Sequence, residues 1–313
     1  MREALRTAHP AVQIGILILV GFGAMFVLWL AAIAPFLVMG YGLDVLTSVR
    51  SLTADDHVEV MMLKVVQLAQ ALGLFMVPYF VYRWIIKGPE YSLTELPYVS
   101  RLSPLIFAGS IFAAFPLINF LAEWNAGLTF PVEGINDWIH QTEKDAEGII
   151  KLFLAMDGIG DLLFNLFLIA LLPAVSEELL FRGTFQPLLV KSFKGNYHVA
   201  IWVTAFLFSF LHLQFLGFFP RLLLGAILGY AAHWSGSLIL PMVGHFMNNG
   251  LAVMVAWYIG IDALEPSVEH LGSDSSDIQL VATSAFMLFA GLWWIFKSST
   301  FEDKPKDNQA LET

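Results

Sequence analysis

Long apolar runs separated by polar breaks dominate this chain, at about residues 11–39, 60–86, 104–122, 160–189, 198–216, 219–234, 237–259 and 278–296. A helix that crosses a bilayer needs about 20 apolar residues, so the pattern predicts an all-α, polytopic membrane protein, a bundle of about eight transmembrane helices. The sixth run is short, which fits a tilted or re-entrant helix or one flanked by snorkelling side chains. The first run, Ala11 to Met39, is too long for the core of a signal peptide and reads as a retained helix. Residues 1–313 are taken as one membrane domain, with a disordered tail over 302–313. The longest connection, Glu123 to Ile159, carries Trp138, Ile139, Ile149, Ile150, Leu152 and Phe153. It reads either as an interfacial amphipathic stretch or as a solvated loop with local helix.

Composition agrees with the pattern. Hydrophobic residues make up 58% of the chain and charged residues 13%, and the mean hydropathy is +0.71, outside the usual range of soluble domains. The absence of cysteine excludes disulfides, a cysteine nucleophile and thiolate-bound zinc. A net charge of −10 without a basic cluster argues against nucleic acid as a partner. Lys and Arg favour cytoplasmic loops. With the N-terminus inside, Arg2, Arg6, Arg83, Lys87, Arg101, Lys191, Lys194, Lys297, Lys304 and Lys306 fall on the cytoplasmic side. Only Arg50, Lys64, Lys144, Lys151 and Arg221 lie at or near the other. Asp262, Glu265, Glu269, Asp274 and Asp277 mark an external loop, and both termini are expected in the cytoplasm.

An ionisable group within a spanning helix costs at least a few kcal/mol, so its default reading is functional or paired. Three places break the apolar background. In the fourth run, Glu178 and Arg182 are four residues apart, share a helix face and can neutralise each other. Glu177 points about 100° away and lacks that partner, which suits a general base. The fifth run carries Phe208 and His212, and the seventh carries His245 and Asn249 on one face. Three helices can thus bring a carboxylate, two imidazoles and an amide to one buried point.

Glu177-Glu178-x-x-x-Arg182, Phe208-x-x-x-His212 and His245-x-x-x-Asn249 resemble the three signature motifs of the CAAX-protease and bacteriocin-processing family of intramembrane proteases. The likeness extends to Leu179-Leu180-Phe181 and Gly183, and to Ser235-Gly236-Ser237-Leu238, and covers about residues 160–255. The resemblance implies helices around a conical, water-accessible cavity open to the cytosol, and an endopeptidase acting on a peptide or protein substrate, membrane-associated or lipidated. By motif position, Glu177 activates the attacking water with help from His212. His245 and Asn249 stabilise the oxyanion, and Glu178 and Arg182 hold the helix and orient the site.

The chemistry also stands without the resemblance. Amide hydrolysis needs a base for water, donors for the oxyanion and a proton for the leaving amine, and Glu177, His212, His245 and Asn249 can supply all three. No Ser-His-Asp order is apparent, and Ser209 reads as a packing or backbone-bonded residue. Glu177, His212 and His245 also form a possible zinc set. The lack of His-Glu-x-x-His, and asparagine's poor fit as a zinc ligand, favour a site without metal or other cofactor. Two other functions compete: a non-catalytic binding or immunity scaffold, which does not require an unpaired buried Glu177, and a proton-coupled transporter, which calls for a repeat that is not found. Gly225-x-x-x-Gly229 reads as a close helix contact, and Pro173 and Pro241 as possible kinks. His233 reads as an interfacial residue, and Lys64, Gln67 and Gln70 as cavity lining or an aqueous helix end.

Overall fold

Each apolar run folds as helix in the computed structural model, which describes residues 2–46, 51–53, 55–86, 91–132, 134–260 and 277–299. Arg50, Lys87, Asp262, Glu265, Glu269, Asp274, Lys304, Lys306 and the 302–313 tail lie outside the described residues. In chain order the helices are α1 (Arg2–Thr7), α2 (Pro10–Val38), α3 (His57–Ile85), α4 (Ser103–Ala113), α5 (Phe115–Ala126) and α6 (Ile135–Leu154), then α7 (Ile159–Ser192), α8 (Tyr197–Phe210), α9 (Phe218–Ser235), α10 (Ile239–Ile259) and α11 (Ile278–Ser298). No strand forms among the described residues, where β pairing amounts to an isolated bridge between Ser92 and Ser237.

The fold class stands as all-helical, and the count of eight crossings is not confirmed. Among the described residues five helices are long and apolar enough to cross a membrane: α2, α3, α7, α10 and α11. A sixth exists if α4 and α5, bent by 44°, form one broken span. The fifth run yields the 14-residue α8, about 21 Å long at 1.5 Å per residue and short of a roughly 30 Å hydrocarbon core. The sixth yields the 18-residue α9, which carries Arg221 and a buried His233.

The break between α4 and α5 has a visible cause. Pro116 lies in the first turn of α5 and has no N–H to donate. Ser284 of α11 bridges the gap: its hydroxyl donates to the Ala113 carbonyl at 2.7 Å and accepts from the Leu117 N–H at 3.2 Å. It thereby stands in for the helical bond those two residues would otherwise share.

Lipid tails are as apolar as leucine, so helices in a bilayer associate through close packing rather than hydrophobic exclusion. Gly73 of α3 shows this, because a Cβ there would strike the Met25 backbone of α2. The innermost helix is α9, which packs against α5, α8, α10 and α11. One core cluster joins Phe107 and Ile111 of α4, Leu228 of α9, Leu240 of α10 and Leu288 of α11. The outer helices keep apolar faces turned outward, as at Leu19, Phe22 and Phe26 of α2 and Phe286, Phe289 and Trp293 of α11.

The long connection over 123–159 is neither featureless nor exposed throughout. Its second half forms α6, a two-sided helix that buries Ile139, Phe153 and Leu154. The Phe153 carbonyl accepts from Asn165 Nδ2 at 2.6 Å, and Asn165 Oδ1 accepts from Lys64 Nζ at 3.0 Å. Lys64 is buried with its ammonium over the Phe153 and Phe164 rings, so it is not an aqueous helix end. His233 is likewise buried rather than interfacial, stacked on Tyr197 with ring centroids 4.0 Å apart.

Candidate active site

The middle of α7, Leu172–Leu180, carries both glutamates and is bracketed by two wide turns, Leu166–Leu171 and Phe181–Phe185. Each wide turn closes i to i+5 hydrogen bonds and changes the register of the side chains beyond it, a distortion that recurs at functional sites. Pro173 follows the first of them. Pro241 sits within the first turn of α10, where a missing N–H disturbs no helical bond, so it causes no kink.

Glu178 is fully buried. Its Oε1 accepts from Arg182 Nη1 at 2.7 Å and from His245 Nδ1 at 2.8 Å. Arg182, also fully buried, donates from Nη2 to the Gly225 carbonyl at 2.7 Å and lies over the Phe208 ring at 4.9 Å from its centroid. The three motifs therefore meet around Glu178 and Arg182. Because a carboxylate only accepts, His245 holds a hydrogen on Nδ1 and turns Nε2 toward Glu177, whose Oε2 lies 3.9 Å away. That Oε2 is buried and has no hydrogen-bond partner.

His212 lies just past the end of α8, in a turn held from several sides. Its Nδ1 is 2.7 Å from the Phe208 carbonyl, which fixes the hydrogen on Nδ1 and leaves Nε2 as an acceptor. Ser209 Oγ donates to the Phe218 carbonyl at 2.6 Å, in keeping with a backbone-bonded serine. Asn125 Nδ2 donates to the Phe215 carbonyl at 2.7 Å, and its Oδ1 accepts from the Phe219 N–H at 2.8 Å. Asn249, one turn after His245, donates from Nδ2 to the Ile169 carbonyl at 3.1 Å and accepts from Asn248 at 3.0 Å, which leaves one amide hydrogen free.

Glu177, His212, His245 and Asn249 all line one cavity of about 540 Å³. Gln67 and Gln70 of α3 line it too, as do Ile149, Ile150 and Phe153 of α6. The amphipathic helix is thus a wall of the cavity. Its far side is fastened by the Leu216 N–H, which donates to Glu143 Oε1 at 2.9 Å, and by the Trp138 ring 5.6 Å from that of Phe215.

Residues 159–251 match the family model of type II CAAX prenyl endopeptidase, Rce1-like. The Rce1-like segment holds every motif residue, from Glu177 to Asn249, and with the long apolar helices it marks a multi-pass membrane protein. The uncharacterized protein YpbD of Bacillus subtilis (strain 168) is 29% identical over 144 residues, which make up 45% of this chain. The chain spans 64% of the length of that curated relative. No solved structure matches.

Among the described residues no three His, Asp or Glu side chains converge as a metal-holding group. Sequence reasoning paired Glu178 with Arg182 but missed the Glu178 bond to His245, 67 residues away. It also took the Gly225 and Gly229 spacing as packing alone. Gly229 lies so close that a Cβ there would fall 2.8 Å from Ile201 Cγ2, and its carbonyl accepts from Gln186 Nε2 at 3.1 Å. Both glycines thus offer bare carbonyls to polar side chains of α7.

Proposed function

We propose that this chain is an intramembrane endopeptidase that hydrolyses a peptide bond with a Glu177-activated water and no metal. The observation that carries the reading is the unpartnered Glu177 carboxylate beside His245, in the cavity that also receives His212 and Asn249. In this mechanism Glu177 takes one proton from a water whose other hydrogen is accepted by His212 Nε2. The water oxygen adds to the carbonyl carbon of the substrate. The resulting oxyanion meets the free Asn249 amide hydrogen and His245 Nε2, which donates when the ring carries a second proton; Glu178 is then its counter-ion. The C–N bond breaks as Glu177 returns its proton to the leaving nitrogen. A positioned base contributes about 10²–10⁴-fold, and one oxyanion donor about 10²–10³-fold.

The substrate class follows from the family match and from a second feature. An apolar hollow of about 300 Å³, lined by Leu128, Phe206, Phe210, Phe215 and Phe219 among others, lies along the turn that carries His212. It suits the lipid chain of a prenylated peptide or protein. Comparative terminal proteomics of membranes from cells with the wild-type protein or Glu177→Gln tests the reading. The expected result is a set of new peptide termini that vanish in the variant, and identical termini in both would refute it.

A further inference from the structure

The cavity wall holds a second guanidinium that the mechanism does not use. Arg221, in the first turn of α9, is half-buried and lines the cavity together with His212, Glu177 and His245. Its side chain is locked from the backbone side: Nε donates to the Gly217 carbonyl at 3.1 Å, Nη1 to Gln214 Oε1 at 2.6 Å, and Nη2 to the Gln214 carbonyl. These three bonds use three of the five N–H groups of a guanidinium, so one hydrogen on each Nη is left over.

Arg182 and Arg221 differ in what neutralises them. Arg182 has the Glu178 carboxylate at 2.7 Å. Among the described residues no carboxylate forms an ion pair with Arg221. Glu143 of α6 acts on Arg221 from beyond ion-pair contact, with its Oε1 accepting the Leu216 N–H. A fixed, partly desolvated cation with a free hydrogen on each Nη is a fork for a carboxylate. Among the described residues no other arginine and no lysine lines the cavity, and Lys64 is turned away onto Asn165.

We propose that Arg221 reads a carboxylate of the substrate and so fixes how far the cleaved bond lies from it. This rests on the endopeptidase reading for its substrate but not for its test. A peptide chain supplies such a group either at its free C-terminus or on an acidic side chain near it. The probe is a fluorescein-labelled, farnesylated heptapeptide in three forms: a free C-terminal acid, a C-terminal amide, and the amide with aspartate as its last residue. Binding is measured by anisotropy on the purified, detergent-solubilised Glu177→Gln protein, with Arg221 intact or replaced by Gln or Lys.

The acid should bind at least about tenfold more tightly than the amide, as expected for a charge-assisted hydrogen bond. Arg221→Gln should erase that preference while amide binding is retained, and Arg221→Lys should keep part of it. Tight binding of the aspartate form as well shows that the fork accepts a carboxylate from either source, and weak binding assigns it to the terminus. Equal affinity for acid and amide, no measurable binding of the acid, or equal weakening of both forms by Arg221→Gln would overturn the proposal. Cleavage of the same peptides by the unsubstituted protein separates the two ideas. Equal, Glu177-dependent cleavage of acid and amide removes the carboxylate fork and leaves the protease. Acid-selective binding without cleavage does the reverse.

Discussion

Glu177 and Glu178 are neighbours in the chain with opposite surroundings, because successive side chains on a helix diverge by about 100°. One is held by a guanidinium and an imidazole, and the other faces the cavity with an unpartnered oxygen. Removing one partner of a buried ion pair leaves an uncompensated charge and costs about 3–5 kcal/mol. Arg182→Ala should therefore lower thermal stability and expression more than Glu178→Gln, which keeps a hydrogen-bonding amide beside Arg182. Detergent-phase melting curves decide this, and equal melting temperatures would contradict the pair's importance. The pair was legible from the spacing of four alone. The bond from Glu178 to His245 was not, since nothing in either motif gives the direction in which a helix 67 residues later presents its ring. The same holds for Arg221, which sequence placed near a membrane edge and the turn at Gln214 and Gly217 holds at the cavity.

At the level of helices, apolar run length located nearly every element but not its relation to the bilayer. The run at 198–216 merges helix with the turn that follows, so it overstates α8, and the turn itself carries His212. The 123–159 connection was readable as amphipathic, yet which surface its apolar side covers depends on Asn165 and Lys64, which lie in other elements. The α4–α5 break shows how one distant residue supports local structure. Ser284→Ala should leave the Ala113 carbonyl and Leu117 N–H unsatisfied in a partly buried place and cost about 1–3 kcal/mol. Ser284→Thr keeps the hydroxyl. A melting temperature for Ser284→Ala equal to that of the unsubstituted protein would show that the break needs no bridge.

Taken as a whole, the molecule turns large apolar side chains outward on α2 and α11 and gathers ionisable ones around one cavity. Such an outside belongs in lipid, and such an inside is the usual place for intramembrane charge. From the distribution of Lys and Arg we propose that both termini lie in the cytoplasm. Since the chain has no cysteine, single cysteines added at residues 2 and 313 can be labelled in intact cells without background. Labelling only after the membrane is opened is expected, and labelling from outside at either end would reverse the topology. The most direct measurement of the chemistry is cleavage of a fluorescence-quenched, farnesylated peptide by purified, chelator-treated protein, with its metal content determined in parallel. The site built here predicts cleavage without bound metal and a loss of about a hundredfold or more in turnover for Glu177→Gln, the range of a general base. Stoichiometric zinc whose removal abolishes cleavage and whose return restores it, or full activity in Glu177→Gln, would contradict it.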